Sequence, residues 1–363
     1  FRQIDHRPAD VATCRGTVPI PMVDKVDLDG EQAGSRDILV SVIVPNYQHA
    51  SFLECRLESI FRQTYANYEV ILLDDASTDG SQEMLTRYAR YHSKVSACVL
   101  NEQNSGSPFL QWRKGLSLAR GQLVWIAESD DWAEENFLEE CVRAWQRHPG
   151  VHIVSTYAYW VDAQGRREGL TRDWLSAIDG PEAEYRSDGR TFLQQYMLGK
   201  NHLLNASGIV FQKPAPPPEE FVFSLRYAGD RAFWISLLMT GDVVYLRKPL
   251  NNFRRHADAH TLQYRSHAGW DRIREQIAVM HWVRQTVPGC REATFWSRHL
   301  EDLFRKWSFV AGTPAAAFRS VFGQLPLLWT CFRLSPEAAR LAAHMLVKPW
   351  FREKWARHGR HTV

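Results

Sequence analysis

Several features that define large protein classes are missing from this sequence of 363 residues. Its six cysteines lie far apart without a C-x-x-C pair, which predicts neither a zinc site nor a disulfide framework and favours a reducing cytoplasm. The formal charge is only +3, and both signs are mixed along the chain. Because nucleic-acid-binding surfaces are basic and clustered, we expect no nucleic-acid partner.

Membrane and export signals are also missing. No secretory leader opens the sequence, and no run of about 18 apolar residues could span a bilayer. The chain begins at Phe1 without a methionine, as expected for a piece of a longer polypeptide. We predict a cytoplasmic protein, soluble or bound peripherally to the cytoplasmic face of the inner membrane.

Aliphatic runs alternate with amphipathic segments along the first third of the chain. Predicted strands cover residues 38–44, 70–73, 95–100 and 123–127, and a helical stripe follows each of the first three. This alternation predicts an α/β fold with a mostly parallel sheet and helices on both faces. Such sheets bind ligands beyond the carboxyl ends of their strands.

Local signals refine this outline. Ser51 and Glu54 predict a capping box for the first helix, and Gly121 predicts the C-cap of the third. The polar stretch 162–190 is interpreted as a mobile loop region, and residues 1–37 as a linker or strap. Residues 266–363 are predicted to be helical. Their interleaved Trp, Phe and Arg suit packing on the preceding domain, or contact with a membrane surface or a partner protein.

Acidic clusters follow two of the predicted strands. Glu128, Ser129, Asp130 and Asp131 form one cluster, and residues 74–80 contain the other. Carboxylates at such an edge can bind Mg²⁺ or Mn²⁺ together with a diphosphate, although each cluster alone could equally cap the following helix. The chain has no G-x-G-x-x-G after its first strand and no P-loop, which disfavours dinucleotide dehydrogenases and P-loop NTPases.

Taken together, six motifs resemble family 2 glycosyltransferases, which have the GT-A fold. They cover roughly residues 38–265, in the family's order and spacing, and lie at residues 42–47, 63–65, 73–80, 104–107, 125–132 and 227–230. The resemblance implies a nucleotide-binding half at 38–135 and an acceptor half at 136–265. It also implies a sugar donor linked to UDP, dTDP or GDP, and a divalent cofactor, Mn²⁺ or Mg²⁺.

The resemblance assigns roles to individual residues. The expected donor-nucleotide residues are Pro45, Asn46, Tyr47, Asp74, Asp75, Glu128, Ser129 and Asp130. Asp130, Asp131 and His256 are the expected metal ligands, and Arg255, Asn205, Ser207 and Gly229 are expected near the diphosphate or acceptor. Glu128 departs from the family pattern, where this position is usually Asp.

Asp230 matches the family's catalytic base. A sugar hydroxyl is a poor nucleophile near neutral pH, and one carboxylate that accepts its proton during attack lowers the barrier. Inversion at the anomeric carbon needs only one such group, since a metal can neutralise the leaving diphosphate. Gly229-Asp230 taken alone would more often be a turn.

These observations predict an inverting glycosyltransferase that acts on a glycan or lipid-linked acceptor in bacterial surface polysaccharide synthesis, such as O-antigen or capsule. One alternative is a catalytically silent nucleotide-sugar-binding module, although Asp130, Asp131 and Asp230 together argue against loss of turnover. A nucleotidyltransferase is the other alternative. Those enzymes need a glycine-rich basic loop after the first strand, and residues 45–49 do not form one.

Overall fold

The computed structural model describes residues 38–198, 201–256 and 268–287. The strands in these ranges are β1 (Val40–Asn46), β2 (Tyr68–Asp74), β3 (Val95–Leu100), β4 (Leu123–Ile126), β5 (Trp132–Ala133), β6 (Val151–Val161), β7 (Arg167–Leu170), β8 (Glu184–Ser187), β9 (Ile209–Gln212) and β10 (Asp242–Arg254). The predicted strap at 1–37 and most of the predicted C-terminal helices lie outside the described residues.

Eight α-helices connect or cover these strands in the same ranges. They are α1 (Ala50–Phe61), α2 (Ser81–Tyr91), α3 (Pro108–Leu118), α4 (Phe137–Arg147), α5 (Gly189–Phe192), α6 (Glu220–Ser224), α7 (Gly229–Leu238) and α8 (Ala268–Thr286). A π-helical turn, Leu193–Met197, continues α5.

The strands form one sheet in the order β3-β2-β1-β4-β9-β6-β10-β5, with β7 beside β6 and β8 beside β10. β3, β2, β1 and β4 are mutually parallel, and β6 and β10 run in the same direction on the far side of the antiparallel β9. Every residue of β1 and β2 is buried, as expected for strands covered on both faces. The predicted α/β class with a mostly parallel sheet is confirmed.

The two faces of the sheet carry separate hydrophobic cores because side chains alternate along each strand. Ile43 belongs to a core shared with α3 and α7, whereas Val42 and Val44 belong to a core shared with α1, α2 and α4. α8 adds Ile277 and Val283 to the first of these cores. None of the helices in the described ranges combines the length and apolar character needed to cross a membrane.

Two predicted helix signals are wrong. The N-cap of α1 is His49, without a side-chain capping bond, and Asp79 instead accepts the Ala50 N–H at 2.8 Å. The third helix ends at Leu118, before Gly121. A Cβ at Gly121 would lie 2.6 Å from the carbonyl oxygen of Leu39, so glycine is needed there for close approach to the strand edge rather than for a cap.

The polar stretch 162–190 is not simply a loop region. It contains β7, which pairs with β6, and β8, which pairs antiparallel with β10. Both are short strands on the margin of the sheet, and most of their residues are at least partly exposed. Since such strands lack a buried face, they lack the apolar alternation on which the prediction depended.

Candidate active site

Three segments meet beyond the carboxyl ends of the parallel strands. The chain leaves β1 at Asn46 and enters α1 at Ala50. It leaves β4 at Ile126 and enters the acidic turn, residues 128–131, and it leaves β10 at Arg254. The side chains that follow these strands therefore gather at one edge of the sheet, as the sequence predicts.

His49, Asp130 and His256 form the centre of this edge. Each offers one ligand atom, and the three atoms lie within 4.8 Å of one another. Nδ1 of His49 is 2.8 Å from the hydroxyl oxygen of Ser129, which orients the ring, and Nε2 of His256 is 3.1 Å from Oδ2 of Asp130. Two imidazoles and a carboxylate, oriented by a neighbouring hydroxyl, are a donor set that fits a divalent transition metal.

The cluster is largely enclosed by protein. The side chain of His256 is 5% exposed and that of Asp130 is 18% exposed. Phe52 of α1 packs against the rings of both histidines. Burial acts to raise the pKa of Asp130, but the hydrogen bond from His256 and the charge of His49 hold that pKa below its usual range. Asp130 is therefore ionised near neutral pH and can bind a cation.

The cluster differs from the predicted ligand set at two positions. His49 was not predicted, although it follows β1 directly at the same edge. Asp131 was predicted, yet its ligand atoms lie outside this group of three. Its carboxylate is buried and accepts the backbone N–H of Arg254 at 2.8 Å and the side-chain amide of Asn205 at 3.0 Å. Asp131 therefore ties the acidic turn to β10.

Glu128 faces inward from the same turn. Its Oε1 accepts the indole N–H of Trp112 at 2.9 Å. Burial and the neighbouring charge of Asp130 raise its pKa to about 8. The longer Glu thus reaches α3, which accounts for the departure from the usual Asp.

Two buried arginines donate hydrogen bonds to backbone carbonyl oxygens of the acidic turn. Nε of Arg56 donates to the carbonyl oxygen of Glu128 at 2.8 Å, and Nε of Arg254 donates to that of Asp130 at 2.7 Å. Arg56 is fully buried, and neither of its terminal nitrogens has a hydrogen-bond partner among the described residues. Desolvation lowers its pKa, while the charges of Asp131, Asp130 and Glu128 oppose that shift.

Asn205 and Ser207 also form hydrogen bonds with the acidic turn. The Ser207 hydroxyl, fully buried, accepts the backbone N–H of Glu128 at 3.1 Å, and its carbonyl oxygen accepts the indole N–H of Trp125 at 2.8 Å. Asn205 caps the short helix containing Ser207 and donates to Asp131. These contacts give both residues a supporting position, where the sequence predicted a pocket border.

Donor-site candidates at the ends of β1 and β2 divide into exposed and internal groups. Tyr47 is 46% exposed and presents its ring at the sheet edge, while Pro45 is buried within β1. The Asn46 amide donates to Asp74 at 2.8 Å, but its Oδ1 is buried and unpartnered among the described residues. Asp74 also accepts the Ser77 N–H at 2.8 Å, which fixes the loop after β2.

Asp75 lies one residue further along this loop. Its Oδ1 accepts hydrogen bonds from Asn101, Ser105 and Gln111 at 2.7–2.9 Å. Its Oδ2 accepts the Ser105 hydroxyl at 2.8 Å and has capacity for one more donor. Asp75 thus joins the loops after β2 and β3.

Asp230 is the second residue of α7. Its Oδ2 accepts the side-chain amide of Asn201 at 3.3 Å. Burial raises the pKa of Asp230 to about 6, against the opposing effects of the Arg231 N–H and the charges of Arg231 and Arg272. A carboxylate with this pKa is ionised at neutral pH and can still take up a proton.

Two further predicted residues have clear positions. A Cβ at Gly229 would lie 2.3 Å from the ring of Phe109, so glycine lets α7 approach α3. Arg255 is exposed, and its guanidinium lies 5.1 Å from the Trp160 ring centroid. It is not among the hydrogen-bond partners found for the acidic turn, whereas its neighbour Arg254 is.

The sequence is similar to bacterial proteins that are named as glycosyltransferases. The glycosyltransferase GlyG of Streptococcus pneumoniae serotype 4 is 33% identical over 127 residues, which is 35% of this chain and 42% of GlyG. Bacillus subtilis TuaG, a glycosyltransferase attributed to teichuronic acid biosynthesis, is 26% identical over 207 residues, or 57% of this chain and 75% of TuaG. The matched part of this chain thus spans less than half the length of GlyG.

The fold resembles a solved GT-A structure. S. aureus TarS 1-349 in complex with UDP-GlcNAc has a TM-score of 0.56 and 16% sequence identity, covering 85% of this chain and 91% of that chain. This likeness concerns the fold alone and agrees with the mostly parallel sheet. Residues 41–210 match the family model described as Glycosyl transferase family 2. That part of the chain is therefore similar to glycosyltransferase family 2.

Proposed function

We propose that this protein is an inverting glycosyltransferase, which transfers a sugar from a nucleotide-sugar donor to a hydroxyl of a glycan or lipid-linked acceptor. The observation that carries the proposal is the convergence of His49, Asp130 and His256 within 4.8 Å at the ligand-binding edge of the sheet. The similarity of residues 41–210 to the Glycosyl transferase family 2 model supports it.

His49, Asp130 and His256 would hold the divalent cation. When bound, the cation neutralises the charge that develops on the nucleoside diphosphate leaving group. Because two of the three ligands are imidazoles, the donor set favours Mn²⁺ over Mg²⁺, which prefers carboxylate and water oxygens. We assign Asp131 to holding the turn, since its two oxygens accept hydrogen bonds from Arg254 and Asn205 of other segments.

The loops after β1, β2 and β3 are the proposed nucleoside site. The exposed ring of Tyr47 offers a stacking surface for a base. In the same loops, Oδ1 of Asn46 and Oδ2 of Asp75 are acceptors with remaining capacity. TarS is solved with UDP and with UDP-GlcNAc, which supports a nucleotide-sugar donor here, linked to UDP, dTDP or GDP.

Asp230 is the proposed base. Its carboxylate, whose pKa burial raises to about 6, would accept the acceptor hydroxyl proton as the oxygen attacks the anomeric carbon from the face opposite the diphosphate. One proton moves to the carboxylate, one glycosidic bond forms and the sugar–phosphate bond breaks. A single displacement of this kind inverts the anomeric configuration.

The proposed setting is surface polysaccharide synthesis, supported by the attribution of TuaG to teichuronic acid biosynthesis. To test the function, the full chain is incubated with a panel of UDP-, dTDP- and GDP-sugars, and nucleoside diphosphate release is measured with Mn²⁺, with Mg²⁺ and with chelator. We expect release from at least one donor, faster with Mn²⁺ and abolished by chelator. Binding of the same donors without release would favour the silent binding module.

A further inference from the structure

α8 makes an unusual contact with the segment that precedes α7. The carboxylate of Glu275 accepts three consecutive backbone N–H groups, those of Arg226, Tyr227 and Ala228, at 2.8, 2.6 and 2.9 Å. A charged acceptor makes stronger hydrogen bonds to backbone N–H groups than a neutral one does. One side chain of α8 therefore fixes the path of three residues.

Those three residues lead directly into the helix that carries Asp230. Ala228 is the N-cap of α7, and Asp230 lies two residues later. Any displacement of 226–228 is thus transmitted to the carboxylate proposed as the base. The helix start is also a positive dipole end, where the negative charge of Glu275 is favourable.

Residues next to this segment also contact α3 and its N-cap residue, Ser107. The Ser107 hydroxyl donates to the carbonyl oxygen of Leu225 at 2.9 Å, and Gly229 packs against Phe109. α3 also carries Trp112, which binds Glu128 of the acidic turn. The start of α7 and the residue before it therefore contact both α3 with its N-cap Ser107 and Glu275 of α8.

A second residue of α8 acts on the same place. Arg272, one turn before Glu275, is buried, and its guanidinium lies 5.0 Å from the Tyr227 ring centroid. Its positive charge opposes the effect of burial on the pKa of Asp230. α8 thus affects both the position and the charge environment of Asp230, although it lies outside residues 41–210 that match the family model.

We propose that Glu275 is a positioning residue for Asp230: by binding the N–H groups of residues 226–228 it holds the start of α7 in the orientation that catalysis requires. The inference rests on the proposed function, in which Asp230 is the base. A purely structural role for Glu275 would affect stability but would leave turnover by the folded protein unchanged.

The test compares three variants of the full chain. Glu275→Gln keeps the size of the side chain but turns one acceptor into a donor that faces N–H groups, and Glu275→Asp keeps the charge on a shorter stem. Trp282→Phe is the control, because it removes a different hydrogen bond of α8, from Trp282 to Glu219 at 3.1 Å. The measurements are kcat and KM for nucleoside diphosphate release, calorimetric affinity for UDP with Mn²⁺, and Tm.

We expect Glu275→Gln to lower kcat by about 10- to 100-fold, the scale of a base misplaced by a change remote from the chemistry. UDP affinity should stay within about twofold, because the nucleotide residues are untouched. Glu275→Asp should recover part of the lost kcat, and Trp282→Phe should lower Tm without lowering kcat.

Unchanged kcat in folded Glu275→Gln would overturn the inference, as would a fall in kcat in Trp282→Phe equal to that in Glu275→Gln. If Glu275→Gln does not fold, the comparison of Glu275→Asp with Trp282→Phe decides by the same criteria. Asp230→Asn, measured alongside, separates the two proposals. Wild-type turnover in Asp230→Asn refutes the assignment of the base, whereas an inactive Asp230→Asn beside a fully active Glu275→Gln refutes only the positioning role.

Discussion

Lowering the pH should inactivate the enzyme through protonation of Asp230. Burial raises the pKa of this carboxyl from 3.8 to about 6. A base must be ionised in order to accept a proton, so activity is present above this pKa and is lost as the pH falls through it. The environment of Asp230 therefore predicts an acid limb at a pH where an ordinary carboxylate would remain ionised.

The magnitude follows from the two pKa values. A group with a pKa of about 6 is about nine-tenths ionised at pH 7 and about one-tenth ionised at pH 5, so kcat should fall about tenfold over this interval. A carboxyl with the ordinary value of 3.8 would still be more than about nine-tenths ionised at pH 5. The two cases differ clearly in a rate assay.

The assay measures nucleoside diphosphate release at saturating donor and Mn²⁺ from pH 5 to pH 8. Saturation with Mn²⁺ matters because metal binding is itself weaker at low pH, where protons compete for the ligands. Mn²⁺ affinity is therefore measured at each pH by calorimetry. If kcat stays constant between pH 7 and pH 5 while the metal remains bound, the proton acceptor is not a carboxyl with a raised pKa.

Three further predictions concern single residues. Asp230→Asn should lower turnover by about 10² to 10⁴ with nearly unchanged UDP affinity; turnover above about a tenth of wild type would exclude Asp230 as the base. Tyr47→Ala should weaken UDP binding about tenfold by removing a stacking surface for the uracil ring. Unchanged calorimetric affinity would show that the uracil does not stack on Tyr47. Gly229→Ala should lower the free energy of unfolding by about 1–3 kcal/mol because its Cβ would meet Phe109 at 2.3 Å; denaturant titration showing stabilisation, the usual effect of Gly→Ala within a helix, would contradict the packing.

The central strands could be predicted because burial on both faces leaves a direct mark in the sequence. β1 and β2 are continuous aliphatic runs, and their order along the chain implies parallel pairing. β7 and β8 escaped prediction because they are short and at least partly exposed, and are stabilised by pairing with β6 and β10 rather than by a buried apolar face. The predicted capping box is wrong because the acceptor for the Ala50 N–H comes from Asp79, in the loop after β2, and not from a residue next to α1 in sequence.

For the candidate site, the sequence located the edge but not the direction of each side chain. Asp130 and His256 were predicted as ligands and do lie together, while Asp131 next to Asp130 faces Arg254 and Asn205. The side chains of adjacent residues in a turn point in different directions, and these directions cannot be predicted from the residue types alone. His49 was missed because a single histidine after a strand has no distinguishing pattern, and Glu275 because its partners are backbone N–H groups 47–49 residues away.

The proposed function depends on the cluster of His49, Asp130 and His256, and Mn²⁺ binding probes this cluster without a turnover assay. Mn²⁺ affinity in the presence of UDP is measured by calorimetry for wild type, His49→Ala and Asp130→Asn, with His281→Ala, an exposed histidine on α8, as the matched control. We expect His49→Ala and Asp130→Asn each to weaken Mn²⁺ binding by at least about tenfold, or about 1.4 kcal/mol, and His281→Ala to leave it unchanged. Wild-type Mn²⁺ affinity in both cluster variants would show that these residues do not hold the metal.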